Sequence, residues 1–88
     1  MACYVYFLYS SKVSKYYVGI TNDLSDRLQR HNKGESLSTK AGAPWALIHV
    51  IECVNKSVAM SLERKIKKRG IKRFLNDNDI VTGESVPL

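Results

Sequence analysis

CYVYFLY, residues 3–9, is an unbroken run built mainly of β-branched and aromatic side chains. The run has the length of a strand and is too short for an ordinary helix, so it predicts a first β-strand. Residues 16–20 predict a second strand, and the polar segment 10–15 between them has the length of a hairpin loop. The two strands should be antiparallel, and because both look apolar on both faces, helices should cover the sheet on each side.

The next helix is marked by residues that typically begin and end helices. Asn22 or Asp23 can cap its start, and Leu24 and Leu28 form an apolar pair four residues apart. Gly34 follows as a stop signal, so the helix should run over residues 23–33. Residues 34–44 then predict an irregular connection with at most one helical turn.

The second half of the chain predicts a strand and two helices. The strand covers residues 45–53, and Ser57 should cap a longer helix that ends at Gly70. A short helix over residues 72–76 should return Phe74 and Leu75 to the core. The order β-β-α-β-α-(α) predicts an α/β fold with a three-stranded antiparallel sheet flanked by helices. The apolar stripe of the longer helix is expected to be Val58, Ala59, Leu62 and Ile66.

Length and composition limit the class of protein. A chain of 88 residues allows one domain, which we place at residues 1–76, followed by an acidic and flexible tail at residues 77–88. With 44% hydrophobic and 25% charged residues, collagen-like and largely disordered chains are excluded. No apolar run is long enough to span a bilayer and no secretory signal is recognisable, so a cytoplasmic location is expected. Cys3 and Cys53 lack the spacing of metal ligands and should be reduced thiols.

The charge is unevenly distributed. The formal net charge is +6, and seven of the 14 basic residues lie between Arg64 and Arg73. A polyanion is therefore the natural partner, with nucleic acid first and an anionic membrane surface second. A solvated helix face would explain the same charge without any partner.

All five tyrosines fall in the first hairpin. Strand periodicity places Tyr4 and Tyr6 on one face, while Tyr16 and Tyr17 point to opposite faces of the second strand. One of the latter can therefore meet Tyr6 across the sheet. Core packing of the phenol rings is the simpler explanation when the tyrosines are considered alone.

Three further side chains are candidates for chemistry. Arg27 and His31 are neighbours one helical turn apart, beside the apolar stripe of the first helix. Glu63 is the only acid between Glu52 and Asp77. A simple ion pair with a lysine one turn later would explain it, but a single carboxylate beside a phosphate-binding surface can also hold a magnesium ion together with phosphate and water.

Four segments, in this order, resemble those of the GIY-YIG nuclease family, in particular its small stand-alone single-domain members. The family's two strand motifs are similar to YVYFL (residues 4–8) and YVG (residues 17–19). Its arginine-bearing helix resembles DRLQRHN (residues 26–32), and its glutamate-bearing helix resembles AMSLERKIK (residues 59–67). The resemblance covers residues 3–76. It departs from the family at Tyr4, which replaces the glycine of the first motif, and at Thr21, where some members carry lysine.

The resemblance implies an endonuclease that hydrolyses DNA phosphodiester bonds with one divalent cation, Mg²⁺ or Mn²⁺. It implies that Tyr6 and Tyr17 are the active-site tyrosines and that Arg27 is the arginine that faces the phosphate. It also implies that His31 is the nearby histidine and that Glu63 is the metal ligand. We expect Tyr6 to be the general base, with its pKa lowered by Arg27 and the cation, and Tyr17 to orient water or phosphate. The reverse assignment stays open at this point.

Exposed basic residues should bind the flanking DNA backbone. No base-reading module is recognisable, so we expect a structure-selective or single-strand-directed enzyme of DNA repair or recombination, active as a monomer or weak homodimer. A protein partner could supply specificity, and no membrane association is expected. The alternative is a catalytically weak nucleic-acid-binding module of the same fold. The candidate backbone-binding residues are Lys12, Lys15, Arg30, Lys40, Arg64, Lys67 and Lys68.

Overall fold

Three strands form one antiparallel sheet in the computed structural model, which describes residues 2–35 and 39–78. The central strand is β1 (Cys3–Ser10), which pairs with β2 (Lys15–Thr21) on one side and β3 (Ala46–Cys53) on the other. Three helices follow or interleave with the strands in the order β1-β2-α1-β3-α2-α3. The predicted fold class, a three-stranded antiparallel sheet flanked by helices, is confirmed.

The first helix, α1 (Leu24–Asn32), is one residue shorter at each end than the predicted range 23–33. Of the two candidate caps it is Asp23 that serves, since its side chain accepts a hydrogen bond from the Asp26 backbone N–H at 3.0 Å. Gly34 has a φ of 75°, a conformation that glycine adopts readily, and so it ends the helix as expected. The connection after it contains one short turn of 3₁₀-helix, Lys40–Gly42.

The second helix, α2 (Lys56–Arg69), begins earlier than predicted. Its cap is Asn55, whose Oδ1 accepts a hydrogen bond from the Val58 N–H at 2.9 Å, so the expectation that Ser57 is the cap is wrong. Ser57 already lies within the first turn. Val58 is 44% exposed and does not belong to the buried stripe, because the face that packs on the sheet is centred on Ala59 and Ile66.

The third helix, α3 (Ile71–Asp77), returns to the core as predicted. Leu75 is fully buried, and Phe74 stacks on Phe7 with ring centroids 5.8 Å apart. Asp77 ends the helix and forms a two-pronged ion pair with Arg69, at 2.7 and 3.0 Å. The division into a domain at 1–76 and a tail at 77–88 stays a prediction, because residues 79–88 lie outside the described part.

Both faces of β1 are covered. Val5 and Phe7 belong to one buried cluster with Ala59 and Ile66 of α2 and with α3. Tyr6 and Leu8 belong to a second cluster on the opposite face, which α1 and Trp45 close. The prediction that helices cover the sheet on each side is therefore confirmed. Among the described residues, no helix is both long and apolar enough to cross a lipid bilayer.

The two cysteines are neighbours across the sheet. Cys3 on β1 is the register partner of Cys53 on β3, and both are buried free thiols.

Candidate active site

The register of the hairpin brings two tyrosines together on one face. Tyr6 lies opposite Gly19, and Tyr17 lies two residues earlier on the same face of β2. The two ring centroids are 6.2 Å apart. A Cβ atom at Gly19 would lie 2.6 Å from the Tyr6 hydroxyl and 3.0 Å from the Tyr17 ring, so only glycine leaves room for both rings. Tyr16 points to the other face, where its ring packs against Tyr9.

His31 joins this pair from the last turn of α1. Its Nε2 is hydrogen bonded to the Tyr6 hydroxyl at 2.9 Å, and its ring lies 5.1 Å from the Tyr17 ring in an edge-on contact. On the other side, Nδ1 is hydrogen bonded to the Thr39 hydroxyl at 2.7 Å. His31 and Thr39 are each 1% exposed, so these two hydrogen bonds fix the imidazole within the protein.

The imidazole of His31 is held in its neutral form. Burial lowers its pKa, and the nearby Arg27 guanidinium lowers it further. A neutral imidazole has one donor and one acceptor nitrogen, and either arrangement satisfies both partners. When Nδ1–H donates to Thr39, the Tyr6 hydroxyl donates to Nε2; when Thr39 donates to Nδ1, Nε2–H donates to Tyr6. The chain Tyr6–His31–Thr39 can therefore carry a proton along its length.

Thr39 is positioned by residues that the sequence analysis did not single out. The Trp45 indole N–H donates to the Thr39 carbonyl at 2.7 Å, and the Trp45 backbone N–H donates to Asn32 Oδ1 at 2.6 Å. Ser10 anchors the same loop by donating to the Gly42 carbonyl at 2.6 Å. The available signal was a single tryptophan beside a run of Ser, Thr and Gly, which is typical of a loop pinned by one large side chain.

Arg27 lies at the mouth of this cluster. With Tyr17, His31, Arg30 and Glu35 it lines an open pocket of about 270 Å³. The Arg27 Nε is buried and has no hydrogen-bond partner among the described residues. A buried guanidinium nitrogen without a partner carries an unmet desolvation cost.

The two tyrosines differ in exposure and in acidity. Tyr6 is fully buried, and its pKa is raised, first by burial and then by Tyr17, more strongly than Arg27 lowers it. Arg27 lowers the pKa of Tyr6 as expected, but desolvation outweighs this positive charge and the net shift is upward. Tyr17 is half-buried and lines the pocket, so it is the tyrosine that a substrate can reach.

Among the described residues, Glu63 makes no hydrogen bond or ion pair with the other four candidates. It lies on α2, on the border of the buried face, and its carboxylate is 3.6 Å from the Lys67 ammonium one turn later. The described residues contain no group of three or more His, Cys, Asp or Glu side chains able to hold a metal ion. Glu63 alone therefore fits a magnesium site only if phosphate and water complete the coordination.

The seven candidate backbone-binding residues are all exposed. Arg30 adjoins the pocket and pairs with Asp26 at 3.0 Å, and Lys40 follows Thr39 directly in the 3₁₀ turn. The other five lie in the hairpin loop and its edge and on α2: Lys12, Lys15, Arg64, Lys67 and Lys68.

A small α/β domain with two tyrosines, an arginine and a histidine converging on one face of a three-stranded sheet is the arrangement that the sequence motifs indicated. A family model described as the GIY-YIG catalytic domain matches residues 2–76. The chain therefore belongs to the GIY-YIG family, which is a nuclease family, and the resemblance is confirmed.

Several relatives carry the name UPF0213 protein. One from Oceanobacillus iheyensis is 39% identical over 66 residues, covering 74% of this chain and 76% of the relative. One from Streptococcus pneumoniae is 39% identical over 79 residues, covering 85% and 79%. The solution NMR structure of a UPF0213 protein from Bacillus halodurans superposes with a TM-score of 0.59 at 26% identity, covering 96% of this chain and 92% of that one.

Proposed function

We propose that this protein is a metal-dependent endonuclease that hydrolyses phosphodiester bonds in DNA. The observation that carries the proposal is the position of Arg27 in the wall of an open pocket that Tyr17 and His31 also line. A forked, permanently charged guanidinium is well suited to grip phosphate oxygens as negative charge builds up in the transition state.

Tyr17 is the better general base of the two tyrosines. It lines the pocket, whereas Tyr6 is fully buried and is held as a neutral phenol. Tyr6 is then a positioning residue, which acts through His31 and Tyr17. This reverses the roles expected from the sequence, for the reason that the central strand buries Tyr6 and the edge strand leaves Tyr17 accessible.

The neutral imidazole of His31 provides the end point for the proton. As Tyr17 takes a proton from the attacking water, its own phenol proton would pass to Tyr6, whose ring is the neighbour at a centroid distance of 6.2 Å. The Tyr6 proton would pass to Nε2 of His31 along the 2.9 Å hydrogen bond. A bound phosphate would offset the positive charge of Arg27, which otherwise lowers the His31 pKa. Substrate binding therefore makes the imidazolium easier to form.

Glu63 is the residue that would hold the Mg²⁺ or Mn²⁺ ion. When bound, such a cation acts as a Lewis acid and stabilises the departing oxygen. Releasing Glu63 from Lys67 costs little, because a partly exposed ion pair one helical turn apart contributes only about 0.3–0.5 kcal/mol.

The exposed basic residues indicate binding to the DNA backbone rather than to bases. We therefore propose a structure-selective or single-strand-directed nuclease with a role in repair or recombination in the cytoplasm, acting as a monomer or weak homodimer. Specificity beyond DNA structure would come from a protein partner.

A cleavage assay tests the proposal. Purified protein is incubated with branched, single-stranded and duplex DNA in Mg²⁺, Mn²⁺ or EDTA. The variant Glu63→Gln is compared with Glu52→Gln, which removes an exposed carboxylate from β3. We expect cleavage that requires the cation and is lost in Glu63→Gln alone. Cleavage by Glu63→Gln at the wild-type rate would contradict the assignment of Glu63.

A catalytically weak nucleic-acid-binding module is the second candidate. It is favoured by the ion pair that occupies Glu63 and by the lack of a carboxylate cluster among the described residues. In this case the protein would bind the same DNA without cleaving it in either cation.

A further inference from the structure

A second groove opens on the far side of Arg27 from the tyrosines. It has a volume of about 500 Å³ and lies where β1 begins, β2 ends and α2 begins. Because Arg27 lines both this groove and the active-site pocket, the two spaces adjoin at one side chain. The groove is lined by Ala2, Cys3, Ile20, Thr21, Asn22, Arg27 and Lys56.

The groove combines two cations with an apolar wall. Lys56 is exposed and has no acidic partner among the described residues, and Arg27 in the groove wall is the second cation. Ala2, Cys3 and Ile20 supply the apolar part of the lining. Two cations beside an apolar wall match a nucleotide, which has a charged phosphate and a flat base that buries apolar surface.

One polar side chain is available for the base edge. The Asn22 amide is exposed and makes no hydrogen bond to another described residue, whereas the Thr21 hydroxyl is already occupied by the backbone of Asp23 at 3.0 and 3.1 Å. An amide carries both donors and an acceptor, so it can pair with the edge of any unstacked base.

We propose that this groove binds the nucleotide next to the scissile phosphate, with its outer phosphate at Lys56 and its base against Ile20 and Ala2. The proposal rests on the proposed function, since it takes Arg27 to hold the scissile phosphate. It makes Lys56 and Asn22 substrate-binding residues, although neither belongs to the basic run of α2. A base that fills the groove must be unstacked, so single-stranded or frayed DNA is the substrate class.

The probe that tests this is thymidine 3′,5′-bisphosphate, which carries one phosphate for each side of the nucleoside. Its affinity is compared with that of thymidine 5′-monophosphate by NMR titration in EDTA. Wild-type protein should bind the bisphosphate about tenfold more tightly than the monophosphate. Backbone amide signals of Ala2, Ile20 and Asn22 should shift with the bisphosphate.

Two substitutions of lysine separate a local contact from general charge. Lys56→Gln should weaken bisphosphate binding about fivefold and leave monophosphate binding within a factor of about two. Lys33→Gln removes the same charge from the exposed end of α1 and should leave both affinities within a factor of about two. Equal losses in the two variants, or amide shifts confined to the active-site pocket, would overturn the proposal.

The outcome is separate from that of the cleavage assay. If the protein shows the Lys56-dependent affinity but cleaves no DNA, the groove proposal stands and the nuclease proposal fails. If the protein cleaves DNA but Lys56→Gln binds the bisphosphate as tightly as the wild type, the nuclease proposal stands and the groove proposal fails.

Discussion

Gly19 shows how one small residue determines the geometry of the candidate site. The Tyr6 hydroxyl and the Tyr17 ring both occupy the space in which any other residue would place its Cβ. The sequence predicted that one of Tyr16 and Tyr17 would share a face with Tyr6, but it could not predict which, because that depends on the register. The observed pairing of Tyr6 with Gly19 answers this in favour of Tyr17.

Substituting Gly19→Ala should therefore damage both stability and site. The added methyl group meets two packed rings, and overpacking of this kind typically costs about 1–3 kcal/mol. Thermal unfolding should show a lower melting temperature, and DNA cleavage should fall. Lys12→Ala, in the exposed hairpin loop, serves as the stability control and should melt like the wild type. An unchanged melting temperature for Gly19→Ala would contradict the close packing.

His31 should give the protein a stability that declines on the acid side of neutrality. Its pKa is lowered in the folded state, so between the unfolded-state pKa, about 6.5, and the lower folded pKa the unfolded chain binds more protons. Stability is therefore full above about pH 6.5 and is lost as the pH falls below that value. Melting temperatures measured from pH 8 to pH 5 should show this decline.

The matched substitutions are His31→Gln and His49→Gln. The first removes the buried imidazole and should flatten the decline, whereas the second removes the half-buried ring that packs against Phe7 and should retain it. If the decline persists in His31→Gln and disappears in His49→Gln, the effect does not come from His31 and the prediction is wrong.

Elements were predicted well in kind and less well in their boundaries. The glycines at 34 and 70 have φ values of 75° and 98° and end helices as the sequence indicated, because this backbone conformation strongly favours glycine. The start of α2 was misplaced by two residues, since Asn55 and Ser57 are both good caps and local sequence does not distinguish them. In the structure the earlier start is the one that is capped, since the Asn55 side chain accepts a hydrogen bond from the Val58 N–H.

The cap assignment can be tested by comparing two alanine variants. Asn55→Ala should lower the free energy of unfolding by about 1 kcal/mol, because the Val58 N–H loses its acceptor. Ser57→Ala, two residues away within the first turn, should change it by less than about 0.5 kcal/mol. Urea denaturation of both variants makes the comparison, and a larger loss in Ser57→Ala would restore the cap expected from the sequence.

At the scale of the whole molecule, the sequence anticipated the convergence of four residues but not the means of holding them. Tyr6, Tyr17, Arg27 and His31 meet as the motifs implied. Thr39 and Trp45 went unnoticed, because their contacts depend on how an irregular loop folds back and no periodicity encodes this. Within the described part of the chain, Glu63 makes no hydrogen bond or ion pair with these four residues, and its metal-binding role stays a prediction.

The exposed cations should make DNA binding strongly dependent on salt. Each phosphate contact on single-stranded DNA contributes about 0.7 to the slope of log affinity against log salt concentration. The double variant Lys67→Ala, Lys68→Ala should therefore reduce the slope by about 1.4. Fluorescence anisotropy in EDTA between 50 and 300 mM salt measures it. A slope equal to that of the wild type would show that Lys67 and Lys68 of α2 make no phosphate contacts.

The two faces of strand β1 have different roles in this protein. Its odd-numbered residues Val5 and Phe7 fill one interior, and Tyr6 between them serves the chemistry on the reverse side. Inserting one amino acid ahead of Tyr6 would exchange the faces of the residues that follow it. The Tyr6 hydroxyl would then point into the apolar cluster of Val5 and Phe7 and would lose its hydrogen bond to His31. A single insertion would therefore disrupt the packing of the core and the candidate site at the same time.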